Sequence, residues 1–381
     1  MRFSDEHKMM VETLERFLAK HYPPEVIRKQ DEEDKFPRQI LKEMADLGLT
    51  GLTVPEEYGG TGRDITGACL VTEELARVSL TLSWAYVGNA FFGSENINIL
   101  GNEEQKQRFL PRLAKGELLF AYGLTEPNVG SDTAAVQTTA VRTDGGFLVN
   151  GSKIFISGAS ESDYILTLVR TDKDAEKRKG LSFLIIDSKS QGITFNTLKK
   201  LGVHGSDTCE VVFDNVFVPA ENLLGGEECL NKGWNQLLAT LDVEHTHLCA
   251  ESVGLARGAL DLTLDYIKQR HQFGQPISKF QAIRHKVAEL ATLVETARVF
   301  TYHLTDMVQR NETCWKESSM GKLFTSEIAK KVSLECLQLF GGYGYMMEYD
   351  IQRYVRDSLV LTIGGGTSEI QKNNIAGAMK L

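Results

Sequence analysis

The chain has no Gly-x-x-x-x-Gly-Lys-Ser/Thr, no Cys-x-x-Cys and no run of 18 apolar residues in its 381 positions. The first absence excludes a P-loop. The last excludes an apolar stretch long enough to cross a bilayer as a helix. Six cysteines, at 69, 209, 229, 249, 314 and 336, are scattered, so neither a zinc site nor a disulfide framework is expected and a reducing cytoplasm fits. The start, Met1-Arg2-Phe3-Ser4-Asp5, lacks the apolar core of a secretory signal, which leads to the expectation of a cytoplasmic protein. An excess of basic residues is also missing. With 42 Lys and Arg against 51 Asp and Glu, the net charge of −9 argues against nucleic acid or an anionic membrane as the main partner, while a small anionic ligand stays allowed. Neither low complexity nor an internal repeat is visible.

What is present divides into helix, strand and helix. Ser4 is placed to cap a helix whose first turn carries Asp5 and Glu6, with Met10, Val11, Leu14, Phe17 and Leu18 as its apolar stripe, ended by Pro23-Pro24. Asn102 and Gln105 read as a capping box for another helix. From about residue 120 the period shortens: Asp144-Gly145 and Asn150-Gly151 are turn dipeptides, and 147–149, 164–169, 181–186 and 211–218 are β-branched and aromatic. Beyond Gly233 long helical segments return, 233–270 and 281–309 among them, as in a bundle of the kind that often oligomerises. These shifts give expected domains at 1–119 (helical), 120–226 (β) and 227–381 (helical bundle), an α+β chain overall.

The densest chemistry sits at the first junction, Tyr122-Gly123-Leu124-Thr125-Glu126-Pro127-Asn128-Val129-Gly130-Ser131-Asp132. Glycines and small polar side chains there expose N–H groups and hydroxyls suited to an anionic or heteroaromatic ligand. A domain-entry loop stiffened by Pro127 is the plainer reading. Two further glycine-rich turns, Gly341-Gly342-Tyr343-Gly344 and Gly364-Gly365-Gly366-Thr367, follow no parallel strand, so they do not make a dinucleotide fingerprint.

Four segments together resemble the acyl-CoA dehydrogenases: Val54-Pro55-Glu56-Glu57-Tyr58-Gly59-Gly60, the 122–132 loop, Arg270-His271-Gln272-Phe273-Gly274-Gln275-Pro276, and Gln338-Leu339-Phe340-Gly341-Gly342-Tyr343-Gly344. The resemblance spans essentially the whole chain. It implies an N-terminal α-helical domain, a middle β-barrel and a C-terminal four-helix bundle, a homotetramer, and FAD as cofactor. It also implies that a base removes the α-proton of an acyl-CoA thioester while the β-hydride passes to flavin N5, giving a 2-enoyl-CoA. Electron transfer flavoprotein is the implied acceptor.

Carried over by residue, the resemblance sets Tyr122, Leu124, Thr125, Gly130 and Ser131 along the flavin and its pyrophosphate, and Phe155-Ile156-Ser157 beside the isoalloxazine. Arg270, Gln272, Phe273, Phe280 and Gln281 are implied to reach a neighbouring subunit's FAD, with Gln338, Gly341 and Gly342 as complementary contacts and Thr367 and Glu369 added to the cofactor set. Ser131, Asp242, His245, Gly364 and Gly366 are implied on the substrate side.

The base departs from the commoner pattern of the family. The glycine-rich loop that usually reads Tyr-Glu-Gly-Thr, with Glu as base, here reads Gly364-Gly365-Gly366-Thr367. Leu237, Leu241, Glu244 and Leu248 recur at intervals of four, three and four, the stripe a helix turns inward, and burial there raises a carboxyl pKa toward that of a working base. On the residues alone the favoured reading of Glu244 is one half of an ion pair with Arg or Lys of a packed helix. The subgroup similar to isovaleryl-CoA and long-chain acyl-CoA dehydrogenases has its base at this helix position, so loss at 365 and gain at 244 are coordinated. Gly365 retains an N–H for an oxyanion site.

Two differences from that subgroup remain. His245 stands where Arg is usual, and Val203-His204 replaces Ile-Arg in Gly202-Val203-His204-Gly205-Ser206. Glycine at 364 frees volume for a branch or ring near the reacting carbons, giving the expectation of a branched or alicyclic short-to-medium acyl group. A reductase or oxidase on the same fold, and a non-catalytic thioester or flavin binder, remain open. His245 and His247, two residues apart, face different sides of a helix, so no shared metal is expected.

Overall fold

The computed structural model describes residues 3–381. Seven α-helices lead: α1 (Asp5–His21), α2 (Pro24–Glu33), α3 (Gln39–Asp46), α4 (Ile65–Val78), α5 (Leu80–Val87), α6 (Asn96–Leu100) and α7 (Glu103–Ala114). Ser4 caps α1, its hydroxyl accepting from the His7 N–H, and the Asn102/Gln105 capping box is formed in both directions. Pro24 opens α2 at its first turn, where a missing N–H costs nothing. Between α5 and α6 the helix widens into a π segment, Gly88–Glu95, which the sequence pattern does not announce.

The middle of the chain is one seven-stranded sheet: β1 (Phe120–Gly123), β2 (Thr139–Thr143), β3 (Gly146–Ser157), β4 (Tyr164–Arg170), β5 (Leu181–Asp187), β6 (Ile193–Thr197) and β7 (Thr208–Pro219). Strands run in the order β1-β4-β2-β3-β7-β6, with β5 also paired to β4. The pairing is antiparallel, that of β4 with β5 included, except that β4 is parallel to β1 over four residue pairs and to β2 at one. Strands β1, β2 and β6 lie outside the segments expected from composition; each is only four or five residues long.

Five helices complete the chain: α8 (Gly233–Gln269), α9 (Gln281–Gln309), α10 (Trp315–Phe340), α11 (Ile351–Leu361) and α12 (Ser368–Ala378). The two-residue strands His271–Gln272 and Gln275–Pro276 form a hairpin between α8 and α9. Helix α8 packs on α4, α9, α10 and α11. Its approach to α4 requires glycine: a Cβ at Gly254 would stand 2.2 Å from the Glu73 carbonyl oxygen, and one at Gly258 2.1 Å from that of Arg77. The same seam is closed by charge. Buried Glu73 accepts from Arg298 at 2.7 Å and from Arg257, and Tyr302 also donates to it.

Because α8 is covered on so many sides, the stripe drawn from its sequence is corrected. Leu237 is buried, but Leu241, Glu244 and Leu248 are only half-buried, whereas Val243, His245, Thr246, His247, Cys249 and Ala250 are enclosed. The 241–244–248 line therefore faces a cleft. No helix of the described residues is long and apolar enough to span a membrane, and no group of them is arranged to hold a metal ion.

Candidate active site

Glu244 lies at the wall of a small cavity formed by α8, the π segment and β1, with Tyr122 and Thr240 beside it. Burial pushes its carboxyl up to about 7, while the Lys322 ammonium pulls the other way. It is bonded to no partner among the described residues. The ion-pair alternative is thereby answered: Lys322, enclosed on α10, donates instead to the Gly366 carbonyl at 2.6 Å. Burial holds that ammonium down to about 8.

The glycine loop closes over the carboxylate. Gly365 and Gly366 have φ of +63° and +86°, a conformation that glycine adopts without strain. A Cβ on Gly365 would stand 3.8 Å from Glu244 Oε1. Thr367 caps α12 by accepting from the Ile370 N–H, and Glu369 sits in the first turn, exposed. Gly364 is exposed, and a Cβ there would meet only the Val360 carbonyl, at 3.6 Å.

His245 supports the loop from behind. It is 3% exposed, and burial pushes it down to about 4, so its ring is neutral at pH 7. Its Nε2 faces Gln371 Nε2 at 3.3 Å, and the same Gln371 amide donates to the carbonyls of Gly365 and Gly366 at 3.1 and 3.3 Å. Its Nδ1 faces the Ser318 hydroxyl, which donates to Asp242 Oδ1 at 2.7 Å. Protein groups thus engage both His245 and half-buried Asp242 beneath the loop.

The 122–132 loop is anchored at Glu126. Its carboxylate accepts from the Gln137 and Thr138 N–H groups and from Lys153, at 2.7, 2.8 and 2.9 Å. Lys153, fully buried on β3, also donates to the Leu124 carbonyl, while the Ile154 N–H reaches that of Thr125. Gly130 and Ser131 are left exposed, and a Cβ on Gly130 would meet nothing within 4 Å.

On β3 the register slips between Lys153 and Ile156, a bulge that throws Phe155 outward. Phe155 has φ of +61° and is 64% exposed, an aromatic ring held on costly backbone with no protein partner. Ile156 is buried under the sheet and Ser157 half-buried. Tyr122 is half-buried, stacked on Phe92 at 5.2 Å and Phe183 at 5.8 Å. An open backbone cradle beside an exposed aromatic fits the phosphates and flat ring of a flavin dinucleotide.

The remaining predicted residues lie elsewhere. Arg270 ends α8 with its guanidinium 5.1 Å from the Tyr343 ring centroid, close to exposed Gln338, Gly341 and Gly342 at the end of α10. Gln272 and Phe273 are exposed on the hairpin, Phe273 edge-on to half-buried Phe280, with Gln281 opening α9. Along α8, Arg270 is about seven turns, roughly 39 Å, from Glu244. One chain does not bring these two groups together.

Sequence reasoning missed Lys322, Gln371 and Glu95, weighed His247 only as a metal ligand, and assigned no role to Glu126 or Lys153. The signal for Lys322 was a lysine in line with Ser318, Thr325 and Ala329, positions that α10 turns inward. A separate open groove of about 530 Å³, lined by Val299, Phe300 and Phe324 on α9 and α10, shares no residue with the cleft.

Sequence models described as the acyl-CoA dehydrogenase N-terminal, middle and C-terminal domains match residues 4–117, 121–216 and 231–380. An acyl-CoA dehydrogenase of Bacillus subtilis is 40% identical over 98% of this chain and 97% of its own length. The caffeyl-CoA reductase-Etf complex subunit CarC of Acetobacterium woodii is 36% identical (100% and 99%), and mitochondrial isovaleryl-CoA dehydrogenase of Solanum tuberosum 36% (97% and 89%). Among solved structures, butyryl-CoA dehydrogenase from Megasphaera elsdenii superposes with a TM-score of 0.95 at 33% identity, covering 100% of both chains. A glutaryl-CoA dehydrogenase from Mycobacterium smegmatis, in complex with FADH2, gives 0.90 at 26%, covering 99% and 95%. Fold and site define an FAD-binding oxidoreductase that acts on acyl-CoA. The chain belongs to the acyl-CoA dehydrogenase family.

Proposed function

We propose that the protein oxidises an acyl-CoA thioester to its 2-enoyl-CoA, with Glu244 as the base that takes the α-proton. The carrying observation is an unpaired carboxylate, raised to about 7, under a loop whose Gly365 approaches it within reach of a Cβ. A base poised near neutrality is half in its carboxylate form at pH 7 and still strong enough to accept a carbon-bound proton. The Gly365 N–H donates to the thioester carbonyl, where negative charge develops as the proton leaves. FAD supplies the acceptor for the β-hydride, so proton and hydride leave adjacent carbons and a C=C bond forms.

Cofactor binding is assigned to Tyr122, Leu124, Thr125, Gly130 and Ser131, to Phe155-Ile156-Ser157, and to Thr367 and Glu369. Arg270, Gln272, Phe273, Phe280, Gln281, Gln338, Gly341 and Gly342 act on the FAD of a neighbouring subunit in a homotetramer. Support comes from the distance of Arg270 along α8 from Glu244 and from the exposure of Phe273, at 93%. Electron transfer flavoprotein is the proposed acceptor, supported by a relative named as part of an Etf complex.

Open space at Gly364 favours a branched or alicyclic short-to-medium acyl group. Anaerobic bleaching of the holoenzyme flavin by straight, branched and cyclic acyl-CoAs tests this, with branched or cyclic chains expected fastest. A straight-chain preference overturns the substrate reading, and no bleaching by any of them overturns dehydrogenation. The relative named as a reductase favours one second reading, the same site run in reverse. Reoxidation of the reduced holoenzyme by enoyl-CoA faster than its reduction by the saturated partner would decide for it.

A further inference from the structure

The cavity next to Glu244 ends in polar groups that nothing in the protein satisfies. His247 is 1% exposed and neither ring nitrogen has a partner. Its ring is pinned by Phe91 at 4.7 Å and Phe92 at 5.7 Å. Glu95, also 1% exposed, is held from behind by Arg63, whose Nε donates to Oε1 at 2.7 Å, while Oε2 has no partner. Glu95, His247, Phe91 and Phe92 line the same cavity as Glu244.

Buried polar groups are almost always paired, so an unpaired pair facing one cavity calls for an occupant. The free space, about 10 Å³, is that of a single water molecule or a single hydroxyl group. His247 is three residues, just under one helical turn or ~4.5 Å, beyond Glu244 on α8. A hydroxyl there has two complementary partners: it accepts from the one N–H of the neutral imidazole and donates to Glu95 Oε2.

We propose that the acyl group carries a hydroxyl about one helical turn beyond the carbon deprotonated at Glu244, received by His247 and Glu95. The inference rests on the cleft being the acyl site. The hydroxyl fills the space that otherwise fits one water. An unhydroxylated chain displaces that water without replacing its bonds and leaves three polar atoms unpaired, which is how sites built for a hydroxyl reject the analogue lacking it.

The test uses holoenzyme and two matched pairs: ω-hydroxyvaleryl-CoA against valeryl-CoA, and para-hydroxycyclohexanecarboxyl-CoA against cyclohexanecarboxyl-CoA. Dissociation constants are measured by calorimetry alongside anaerobic flavin bleaching. We expect at least one hydroxylated member to bind about tenfold or more tighter than its partner, and the pair that responds tells an aliphatic from a cyclic source. H247F, loaded with FAD, should remove the preference, and E95Q, which keeps the shape and an acceptor oxygen, should reduce it less. Equal affinities within both pairs, or a preference unchanged in H247F, overturn the proposal. Equal affinities with bleaching by plain chains remove the hydroxyl site and leave the dehydrogenase. Preferential binding without bleaching by any chain keeps the hydroxyl site and removes the dehydrogenase.

Discussion

A Cβ added to Gly365 comes within 3.8 Å of Glu244 Oε1. A carboxylate anchored on the loop and one anchored on α8 therefore serve the same point in space, although 121 positions separate them in the sequence. The exchange of one anchor for the other leaves the chemistry where it was.

That geometry predicts that the base can be moved. Glu244→Gly should lower substrate-driven flavin reduction by about 10²–10⁴-fold. Adding Gly365→Glu alone meets an obstacle, because a Cβ there is 2.3 Å from Leu248 Cδ1 and φ is +63°. With Leu248→Ala to clear the space, stopped-flow reduction should recover at least about tenfold. A folded, FAD-containing triple variant with no recovery contradicts the shared position.

The pH profile has a defined sign. With Glu244 as the proposed base, its carboxylate is the form that accepts the proton, so kcat/KM should rise with pH, inflect near 7 and level above it. The Lys322 charge favours that carboxylate, so Lys322→Met should move the inflection to higher pH. An unchanged or lower inflection contradicts this electrostatic role.

The 122–132 loop depends on a buried ion pair. Lys153→Met leaves Glu126 uncompensated under the loop and should cost about 3–5 kcal/mol in urea unfolding. Lys153→Met combined with Glu126→Gln should cost less than Lys153→Met alone, because no lone charge stays behind. The double variant being the worse of the two contradicts the pairing.

Arg270→Ala should weaken FAD binding about tenfold or more and loosen assembly in the same samples, read by flavin release and sedimentation. Loss of neither removes Arg270 from the proposed partner site.

Much of this was legible in the sequence because local chemistry and tertiary demand coincide. Ser4 and the Asn102/Gln105 box mark helix starts by satisfying N–H groups that any helix leaves free. Glu244 stands out as a carboxylate in an apolar repeat. The direction of that repeat was not legible, since periodicity reports a face and not what lies opposite; α4, α9, α10 and α11 cover the other sides and leave 241, 244 and 248 on the cleft. Short β1, β2 and β6 gave too few residues for a period. Lys322, His247 and Glu95 acquire meaning only from neighbours distant in sequence, such as the Gly366 carbonyl and Arg63.

The central claim is that Glu244 takes the proton. Glu244→Gln retains size and removes the charge, so the variant should remain yellow with bound FAD. Mixed anaerobically with an acyl-CoA that bleaches the parent protein, it should reduce its flavin about 10²–10⁴-fold more slowly. Bleaching at a near-parental rate by a FAD-loaded Glu244→Gln protein would contradict the account.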